Sequence, residues 1–167
     1  MSVEEHRRDA PGRIGFAVLT VSDTRKRESD PGGDFLVEAV EGAGHGCVWR
    51  ELVPDETAPI RDGLLEAVAT EGVDIVLVTG GTGIAPRDVT VPVLEAEFDS
   101  AIPGFGELFR SLSFDQIGSA TILSRATAGL VGATVVFGLP GSPKALSLAM
   151  GSIILKEAGH LVSQARG

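Results

Sequence analysis

The hydrophobic pattern divides the chain into short apolar runs that alternate with longer amphipathic stretches. Apolar runs rich in β-branched residues are typical of buried strands. They lie at 14–21, 46–53 and 73–79, with further strands predicted at 120–125 and 133–140. Helical periodicity is present at 34–44, from 57 onward, at 91–99, at 105–114 and from 142 to about 163.

Strands that alternate with helices predict an α/β protein. The expected architecture is a three-layer α/β/α sandwich with a mainly parallel, Rossmann-like sheet. Residues 1–13 are charged and contain no apolar core of signal-peptide length. We therefore predict a flexible N-terminal tail over 1–13, followed by a single domain over 14–167.

Length, charge and cysteine content narrow the class of protein. A chain of 167 residues with 43% hydrophobic composition suits one domain. The formal net charge of −9 opposes general binding of nucleic acid, which requires a basic surface. Cys47 is the only cysteine, which excludes a disulfide within the chain and a cysteine-based zinc site. No uninterrupted apolar stretch approaches the length of a membrane span, so we predict a cytoplasmic protein with neither nucleic-acid nor membrane partners.

Polar residues and glycines follow four of the predicted strands. Parallel sheets bind ligands beyond the carboxyl ends of their strands, so these residues are expected to share one site. The strand-end groups are Ser22 and Asp23, Pro54 and Asp55, Thr79 through Gly83, and Pro140 through Ser142.

The segment TGGTGIAPRD (79–88) matches neither common phosphate motif. A Walker A loop requires a lysine after its last glycine, which Gly83 lacks, and Pro86 stands where a dinucleotide fingerprint needs a third glycine. Gly80, Gly81 and Gly83 nevertheless permit positive φ and close approach of a ligand to backbone N–H groups. The segment is either an anion-binding loop or a tight turn between strand and helix.

Three carboxylates lie just beyond strand ends: Asp23, Asp55 and Asp88. Mg²⁺ is usually held by one or two carboxylates together with substrate phosphates, so this set suits a magnesium site. The local alternatives are a turn bond for Asp23 and a cap for the helix that begins near Val89 in the case of Asp88.

The segment PGSPK (140–144) has the pattern of a helix start. Ser142 suits the N-cap and Pro143 the first helical position, while Lys144 could add a cation to N–H groups that face the same edge. Capping alone also explains the pattern. Three arginines could clamp phosphate or could form surface salt bridges: Arg87, Arg110 and Arg125.

Six segments together resemble one known family. They are TVSDTR (20–25), LVPDE (52–56), TGGTGIAPRDVT (79–90), IPGFGELFR (102–110), ILSRA (122–126) and LPGSPKA (139–145). In this order they resemble the molybdenum-cofactor biosynthesis family, which includes MogA, MoaB and the corresponding domain of gephyrin. The resemblance covers about 14 to 162, and the C-terminal end is more similar to the MoaB branch.

The resemblance implies an α/β domain that binds molybdopterin and assembles as a homotrimer or hexamer. Active members are molybdopterin adenylyltransferases, which use ATP and Mg²⁺ to form adenylylated molybdopterin and pyrophosphate. By motif, the two catalytic aspartates correspond to Asp55 and Asp88, which would also hold Mg²⁺. The alternative is a non-catalytic molybdopterin-binding or carrier protein of the MoaB type, and retention of both aspartates favours the enzyme.

The remaining candidate residues divide between the two substrates. The glycine loop would cradle nucleotide phosphate, and the SR and PGSPK segments would contact molybdopterin. The full set of candidate binding residues is Ser22, Asp23, Thr79, Gly80, Gly81, Thr82, Gly83, Arg87, Ser124, Arg125, Pro140, Gly141, Ser142 and Lys144.

Overall fold

A six-stranded sheet forms the centre of the protein, which is described here by a computed structural model covering residues 2–8 and 11–167. The strands are β1 (Gly15–Val21), β2 (Gly46–Val53), β3 (Ile75–Thr79), β4 (Ser100–Ala101), β5 (Thr127–Val131) and β6 (Thr134–Leu139). The helices are α1 (Val3–Arg8), α2 (Pro31–Gly42), α3 (Thr57–Ala69), α4 (Thr90–Glu97), α5 (Pro103–Ile117), α6 (Pro143–Ala149) and α7 (Leu155–Arg166).

The strand order is β2-β1-β3-β6-β5-β4, and the first four of these strands run parallel to one another. β5 is antiparallel to β6, and β4 is antiparallel to β5. The prediction of a mainly parallel sheet is confirmed. The pairing places Val21 beside Val53 and Thr79 beside Leu139, so four carboxyl ends lie along one edge.

Helices cover both faces of the sheet, which confirms the three-layer architecture. On β1, Phe16 and Val18 belong to the core beneath α2, α5, α6 and α7. Ala17 and Leu19 belong to the opposite core, beneath α3 and α4. Because successive side chains of a strand point to opposite faces, a strand covered on both sides must be apolar throughout.

The prediction of a strand over 120–125 is wrong. Residues Gly118–Leu123 form a short 3₁₀ helix, and the strand begins only at Thr127. The two-residue connection between β5 and β6 begins at Gly132, whose φ is +59°, and pairs Val131 with Thr134. This hairpin sets the register and selects residues 127–131 for pairing, so local β-propensity at 120–125 is overridden.

A short helix, α1, lies in the stretch that the sequence predicts to be a flexible tail. Ser2 and Glu5 bond reciprocally at its start, where the Ser2 N–H donates to Glu5 Oε2 at 2.6 Å and the Glu5 N–H donates to Ser2 Oγ at 3.3 Å. This arrangement is a capping box. Residues 1, 9 and 10 lie outside the described residues, and the division into a tail and one domain stays a prediction.

The last helical stretch, Pro143–Arg166, is long and apolar enough by length and composition to cross a membrane. The core helix of a globular domain passes the same test, so its packing decides. A buried stripe with four-residue spacing faces the sheet and consists of Leu146, Met150, Ile154, Ala158 and Val162. The apolar character is therefore explained by packing in the core.

One buried carboxylate connects β1, β2 and α2. The Asp30 side chain is 1% exposed. It caps α2 by accepting from the Gly33 N–H at 3.0 Å, and it accepts from Thr20 Oγ1 at 2.7 Å and from Arg50 Nη2 at 3.1 Å. Burial would raise the pKa of Asp30, but these hydrogen bonds outweigh it and hold the pKa below the ordinary value of 3.8.

We expect Asp30→Asn to lower the free energy of unfolding by about 2 kcal/mol at pH 7, because Arg50 loses a buried charged partner. Because the pKa of Asp30 is lower in the folded protein, its ionised form stabilises the fold at pH values above 3.8. This stabilisation is lost as the pH falls through the folded-state pKa. The difference between wild type and variant should therefore shrink in acid, as measured by urea unfolding.

Asp34→Asn is the matched control, because Asp34 also pairs with Arg50 at 2.7 Å but its side chain is 55% exposed. Its expected loss is about 0.5 kcal/mol or less. Equal losses in the two variants would contradict the assignment of Asp30 as the buried anchor.

Candidate functional site

Backbone and hydroxyl hydrogen bonds join the loops that follow the four parallel strands. The Ser22 N–H donates to Val53 O at 2.9 Å, and the Gly80 N–H donates to Leu139 O at 3.1 Å. Thr79 Oγ1 donates to Pro140 O at 3.2 Å. The predicted convergence of these strand ends on one edge is therefore confirmed.

The glycine loop approaches its neighbours closely. Gly80 has φ +99° and Gly81 has φ +64°, both in the region that favours glycine. A Cβ on Gly80 would lie 2.2 Å from Val21 O, and one on Gly81 would lie 2.3 Å from Thr90 Oγ1. Residues 80–89 separate β3 from α4, so the glycines form only the start of a longer loop. Its use as an anion-binding loop stays a prediction.

Asp23 bridges three of the loops. Its carboxylate pairs with the Arg87 guanidinium and accepts from the Asp55 N–H at 3.0 Å. The Arg87 hydrogen bond and then the Asp55 N–H lower the pKa of Asp23. Because both partners lie on other loops, the alternative of a merely local turn bond for Asp23 is wrong.

Asp55 is a half-buried carboxylate whose negative charge has few hydrogen-bond or ion-pair partners. Oδ1 accepts from the Val89 N–H at a long 3.5 Å. Burial raises the pKa of Asp55, and the negative charges of Asp88 and Asp23 raise it further, whereas the Val89 N–H and Arg87 partly offset them. The fold therefore holds Asp55 in a place where its charge lacks a full partner.

Asp88 lies against the glycine loop. Its Oδ2 accepts from the Ala85 N–H at 3.1 Å, and a Cβ on Gly83 would lie 2.7 Å from that oxygen. The N-cap of α4 is Val89, without a side-chain cap. The alternative in which Asp88 caps this helix is therefore wrong.

The Thr90 hydroxyl is the buried side-chain polar atom without a hydrogen-bond partner among the residues described. The position that a Gly81 Cβ would occupy lies 2.3 Å from Thr90 Oγ1 and 2.9 Å from each carboxylate oxygen of Asp55. A buried polar group is costly unless it is satisfied, so a water or a ligand group is expected to bond this hydroxyl. Thr90 is not among the residues predicted from the sequence, although its place two residues after Asp88 at a helix start is a usable signal.

These oxygen donors fit Mg²⁺. In the part of the chain that the structure describes, no group of three or more His, Cys, Asp or Glu side chains forms a metal site. Mg²⁺ does not require such a cage, because it keeps several waters and takes one or two carboxylates plus substrate oxygens. Asp55 and Asp88 would supply the carboxylates, and the Thr90 hydroxyl is an oxygen donor beside Asp55.

A cavity of about 340 Å³ lies between the glycine loop and the start of α6. Six candidate residues line it: Thr82, Gly83, Ser124, Pro140, Gly141 and, at the helix start, Ser142. Phe109, Ile117 and Leu123 supply apolar walls, and Ser113, which sequence analysis missed, adds a hydroxyl. The cavity thus combines apolar surface with a few polar groups, as ligand pockets do.

A smaller cleft of about 240 Å³ separates the ends of β1 and β3. Ser22, Thr79, Gly80 and Gly141 line it together with Arg25. The Ser22 hydroxyl itself accepts from the backbone N–H of Arg25 at 3.2 Å, so it shapes the loop. The cleft brings candidate residues from three strand ends to one place.

Ser142 and Lys144 of the PGSPK segment differ in their surroundings. Ser142 Oγ accepts from the Ala145 N–H at 3.3 Å, which confirms it as the N-cap of α6. Lys144 lines a different cavity, with Gln116 and Ser147, and is not among the residues lining the cavity beside the glycine loop. Lys144 is therefore exposed in the first turn of α6, on the side that shares a cavity with Gln116 of α5.

Arg125 and Arg110 bond backbone carbonyl groups. Arg125 Nε donates to Gly83 O at 2.9 Å, and its Nη2 donates to Gly83 O at 2.5 Å and to Asp88 O at 3.0 Å. Arg110 Nη1 donates to Ala126 O at 3.1 Å. Among the described residues, neither arginine forms the surface salt bridge that was one alternative, and the clamping of phosphate by either arginine stays a prediction.

The fold and its edge define a class, namely a Rossmann-like α/β domain with a glycine loop and carboxylates at the ends of its parallel strands. Residues 17–160 match a family model described as "Probable molybdopterin binding domain". The chain belongs to this family, and within it to the MoaB type of molybdenum cofactor biosynthesis proteins.

Individual relatives agree with this assignment. Molybdenum cofactor biosynthesis protein B of Bacillus subtilis is 46% identical over 167 residues, covering 99% of this chain and 98% of that protein. A protein of Pyrococcus furiosus named molybdopterin adenylyltransferase is 39% identical over 172 residues, covering 99% of each. A crystal structure of a molybdenum cofactor biosynthesis protein B superposes with a TM-score of 0.91 at 44% identity, covering 94% of this chain and 98% of that one.

We expect Asp55→Asn to raise the free energy of unfolding at pH 7, because the variant removes a poorly compensated charge. The expected gain is about 0.5–2 kcal/mol, the usual size of a stabilising substitution. A raised folded-state pKa means that the charged form opposes folding. The gain in the free energy of unfolding should be complete at pH values above the folded-state pKa of Asp55. It should vanish as the pH falls through that pKa toward 3.8. Urea unfolding of chelator-treated protein measures this difference.

Glu56→Gln, at the exposed neighbouring position, controls for the loss of one negative charge and should change stability by about 0.5 kcal/mol or less. If Asp55→Asn were less stable than wild type at pH 7, Asp55 would be a structural residue.

Proposed function

We propose that the protein is a molybdopterin adenylyltransferase, which transfers AMP from ATP to molybdopterin in molybdenum cofactor biosynthesis. The observation that carries the proposal is the placement of Asp55 and Asp88 at a glycine loop, beside the unsatisfied hydroxyl of Thr90. The family membership and the Pyrococcus furiosus relative named molybdopterin adenylyltransferase support it.

The glycine loop suits the nucleotide phosphates. Gly80 and Gly81 have positive φ, and neither carries a Cβ that would hold a phosphate away from the backbone. Successive N–H groups in such a turn form a concavity for anions. This matters in a protein of net charge −9, because local backbone dipoles and Arg87 must provide the attraction that the overall charge does not.

Asp55 and Asp88 would hold Mg²⁺. When bound, Mg²⁺ supplies neutralisation of the phosphate charge that otherwise repels these carboxylates and the second substrate. The incomplete partnering of Asp55 in the free protein supports this role, since a carboxylate destined for a cation gains its partner only on binding. Asp23 and Arg87 would hold the surrounding loops in place through their ion pair.

The reaction needs little covalent help from side chains. The terminal phosphate of molybdopterin attacks the α-phosphorus of ATP, a new P–O bond forms, and the bond to the bridging oxygen breaks to release pyrophosphate. A phosphate monoester is already largely dianionic near neutral pH, so no general base is required. Positioning and charge neutralisation supply most of the rate in such transfers.

The 340 Å³ cavity is the place that we assign to molybdopterin. Its apolar walls suit the flat pterin ring, and Ser113 and Ser124 offer hydroxyl donors for ring or phosphate oxygens. The cavity adjoins Thr82 and Gly83, so the molybdopterin phosphate would lie next to the nucleotide loop. The proposal includes a cytoplasmic location, in keeping with Cys47 as a free thiol.

A non-catalytic molybdopterin-binding or carrier protein is the second candidate. The Bacillus subtilis relative is named only as biosynthesis protein B, which favours no reaction. Incubation of the pure protein with molybdopterin, ATP and Mg²⁺ separates the two candidates. Adenylylated molybdopterin and pyrophosphate are the expected products, and binding of molybdopterin without any product would exclude the enzyme.

We expect Asp88→Asn to slow turnover by about 10²-fold or more, the usual effect of removing one electrostatic contact to the transition state. The assay is Mg²⁺-dependent release of pyrophosphate. Asp62→Asn, at an exposed position of α3, is the control and should retain wild-type turnover. Near-normal turnover of Asp88→Asn would remove Asp88 from the mechanism.

We also propose that the protein assembles as a homotrimer or hexamer. Exposed apolar side chains occur at the C-terminal end of α5 and on the 3₁₀ helix that contacts it, namely Phe114, Ile117, Ile122 and Leu123. Exposed apolar side chains of this kind are typical of protein interfaces and support self-association through this part of the surface.

Phe114→Glu should convert the assembly to a smaller species, because a charge would have to be buried at the interface. Light scattering coupled to gel filtration gives the mass of wild type and variant. Val48→Glu, which places the same charge at an exposed apolar position of β2, should leave the mass unchanged. A monomeric wild type would contradict the proposal.

A further inference from the structure

Arg125 spans both ends of the loop that carries Asp88. Its Nε and Nη2 donate to Gly83 O at 2.9 Å and 2.5 Å, and Nη2 also donates to Asp88 O at 3.0 Å. The two acceptor carbonyls belong to the first and last residues of the segment 83–88. A guanidinium group has a rigid, planar fork of donors and is always charged, which suits it to bridge two acceptors.

The segment 83–88 needs such a tie because much of it faces solvent. Ile84 is 64% exposed, and Ala85, Pro86 and Arg87 are exposed as well. Inside the loop, the Asp88 N–H donates to Ala85 O at 2.9 Å, and the Ala85 N–H donates to the Asp88 carboxylate. Exposed hydrogen bonds with few buried contacts open locally at low free energy, so the Arg125 contacts at the loop ends, together with the exposed Arg87–Asp23 ion pair, fix where the Asp88 carboxylate lies.

Arg125 itself stands on a rigid base. Arg110 of α5 donates to Ala126 O at 3.1 Å and to Ser124 O at 3.5 Å, so it grips the backbone on both sides of Arg125. Gly106 allows α5 to approach this segment, since a Cβ there would lie 2.7 Å from Ala126 O. The Asp88 loop is thereby held in a fixed position relative to α5, which packs on the sheet through Phe109.

We propose that Arg125 is a positioning residue, which holds the loop 83–88 so that the Asp88 carboxylate faces the reacting phosphates. Its part in turnover rests on the proposed function of Asp88, whereas its grip on the loop does not. This assignment replaces the expectation, from the resemblance, that Arg125 contacts molybdopterin. The distinction is physical: a binding residue would act on substrate affinity, and a positioning residue acts on loop order and on the rate of the chemical step.

Amide hydrogen exchange of the metal-free protein, followed by NMR, tests the grip directly. We expect Arg125→Gln and Arg125→Lys to speed exchange of the Ala85 and Asp88 amides by about tenfold or more, since charge-assisted hydrogen bonds are lost. Amides of β3 should keep their rates. Lysine should not restore protection, because its single ammonium cannot form the fork. Unchanged exchange in both variants would overturn the proposal.

Steady-state kinetics with molybdopterin and ATP provide the second test of the proposal. We expect kcat of Arg125→Gln to fall by about 10²-fold, the usual cost of a misplaced catalytic group, with KM for molybdopterin unchanged. A higher KM for molybdopterin with normal loop exchange would overturn the proposal in favour of direct contact. If wild type formed no adenylylated product, the proposed function would fail, and exchange alone would still decide the role of Arg125.

Arg166→Gln is the matched control for both arms. The Arg166→Gln substitution also removes a short hydrogen bond, in which Arg166 Nη2 donates to Asp74 Oδ1 at 2.5 Å. Asp74 precedes β3 and therefore lies at the opposite edge of the sheet. We expect this variant to retain wild-type turnover and loop exchange. An equal increase of loop exchange in Arg166→Gln would show that any lost arginine contact loosens the loop, and it would overturn the specific role of Arg125.

Discussion

Parallel pairing of β1, β2, β3 and β6 is the constraint on which the rest of the structure depends. Parallel strands end at the same edge, so each chain segment that leaves the sheet there must turn beside the others. The turns after Val21 and Thr79 meet so closely that only glycine fits at position 80. Crowding at this edge produces the contacts among Asp23, Asp55 and the Asp88 loop.

Several features that lower the stability of the fold lie at this edge, and packing elsewhere must offset their free-energy cost. Among the residues that the structure describes, Asp55 has too few partners and the Thr90 hydroxyl has none, and the glycine loop requires positive φ. Strain and unsatisfied groups of this kind persist at functional sites when the surroundings over-determine them. Two closely packed apolar cores, one on each face of the sheet, supply that rigidity.

Two arginines give this acidic protein internal anchors at different depths. Arg50 pairs with the buried Asp30 and ties β2 to the start of α2. Arg125 bonds the carbonyls of Gly83 and Asp88 and ties the candidate site to the segment held by α5. In both cases a guanidinium satisfies several acceptors at once, which a lysine could not do with the same geometry. These two positive charges thus organise the structure from within.

The sequence by itself determined the elements whose signals are local. The apolar runs predicted β1, β2, β3 and β6, and the PGSPK pattern predicted a helix capped by Ser142. Motif order pointed to the family, and the strand-end positions pointed to one shared edge. These inferences were correct because hydrophobic period, capping and turn chemistry depend on neighbouring residues.

Only the tertiary structure decided which side chains meet. The hairpin register places β5, which is antiparallel to β6, at Thr127–Val131 instead of 120–125, and Lys144 lines a cavity with Gln116 instead of the one beside the glycine loop. Arg125 reaches Gly83, 42 positions earlier in the chain, and Thr90 lies beside Asp55. Such contacts join distant segments through pairing register and helix packing, so no periodicity or local motif in the sequence records them.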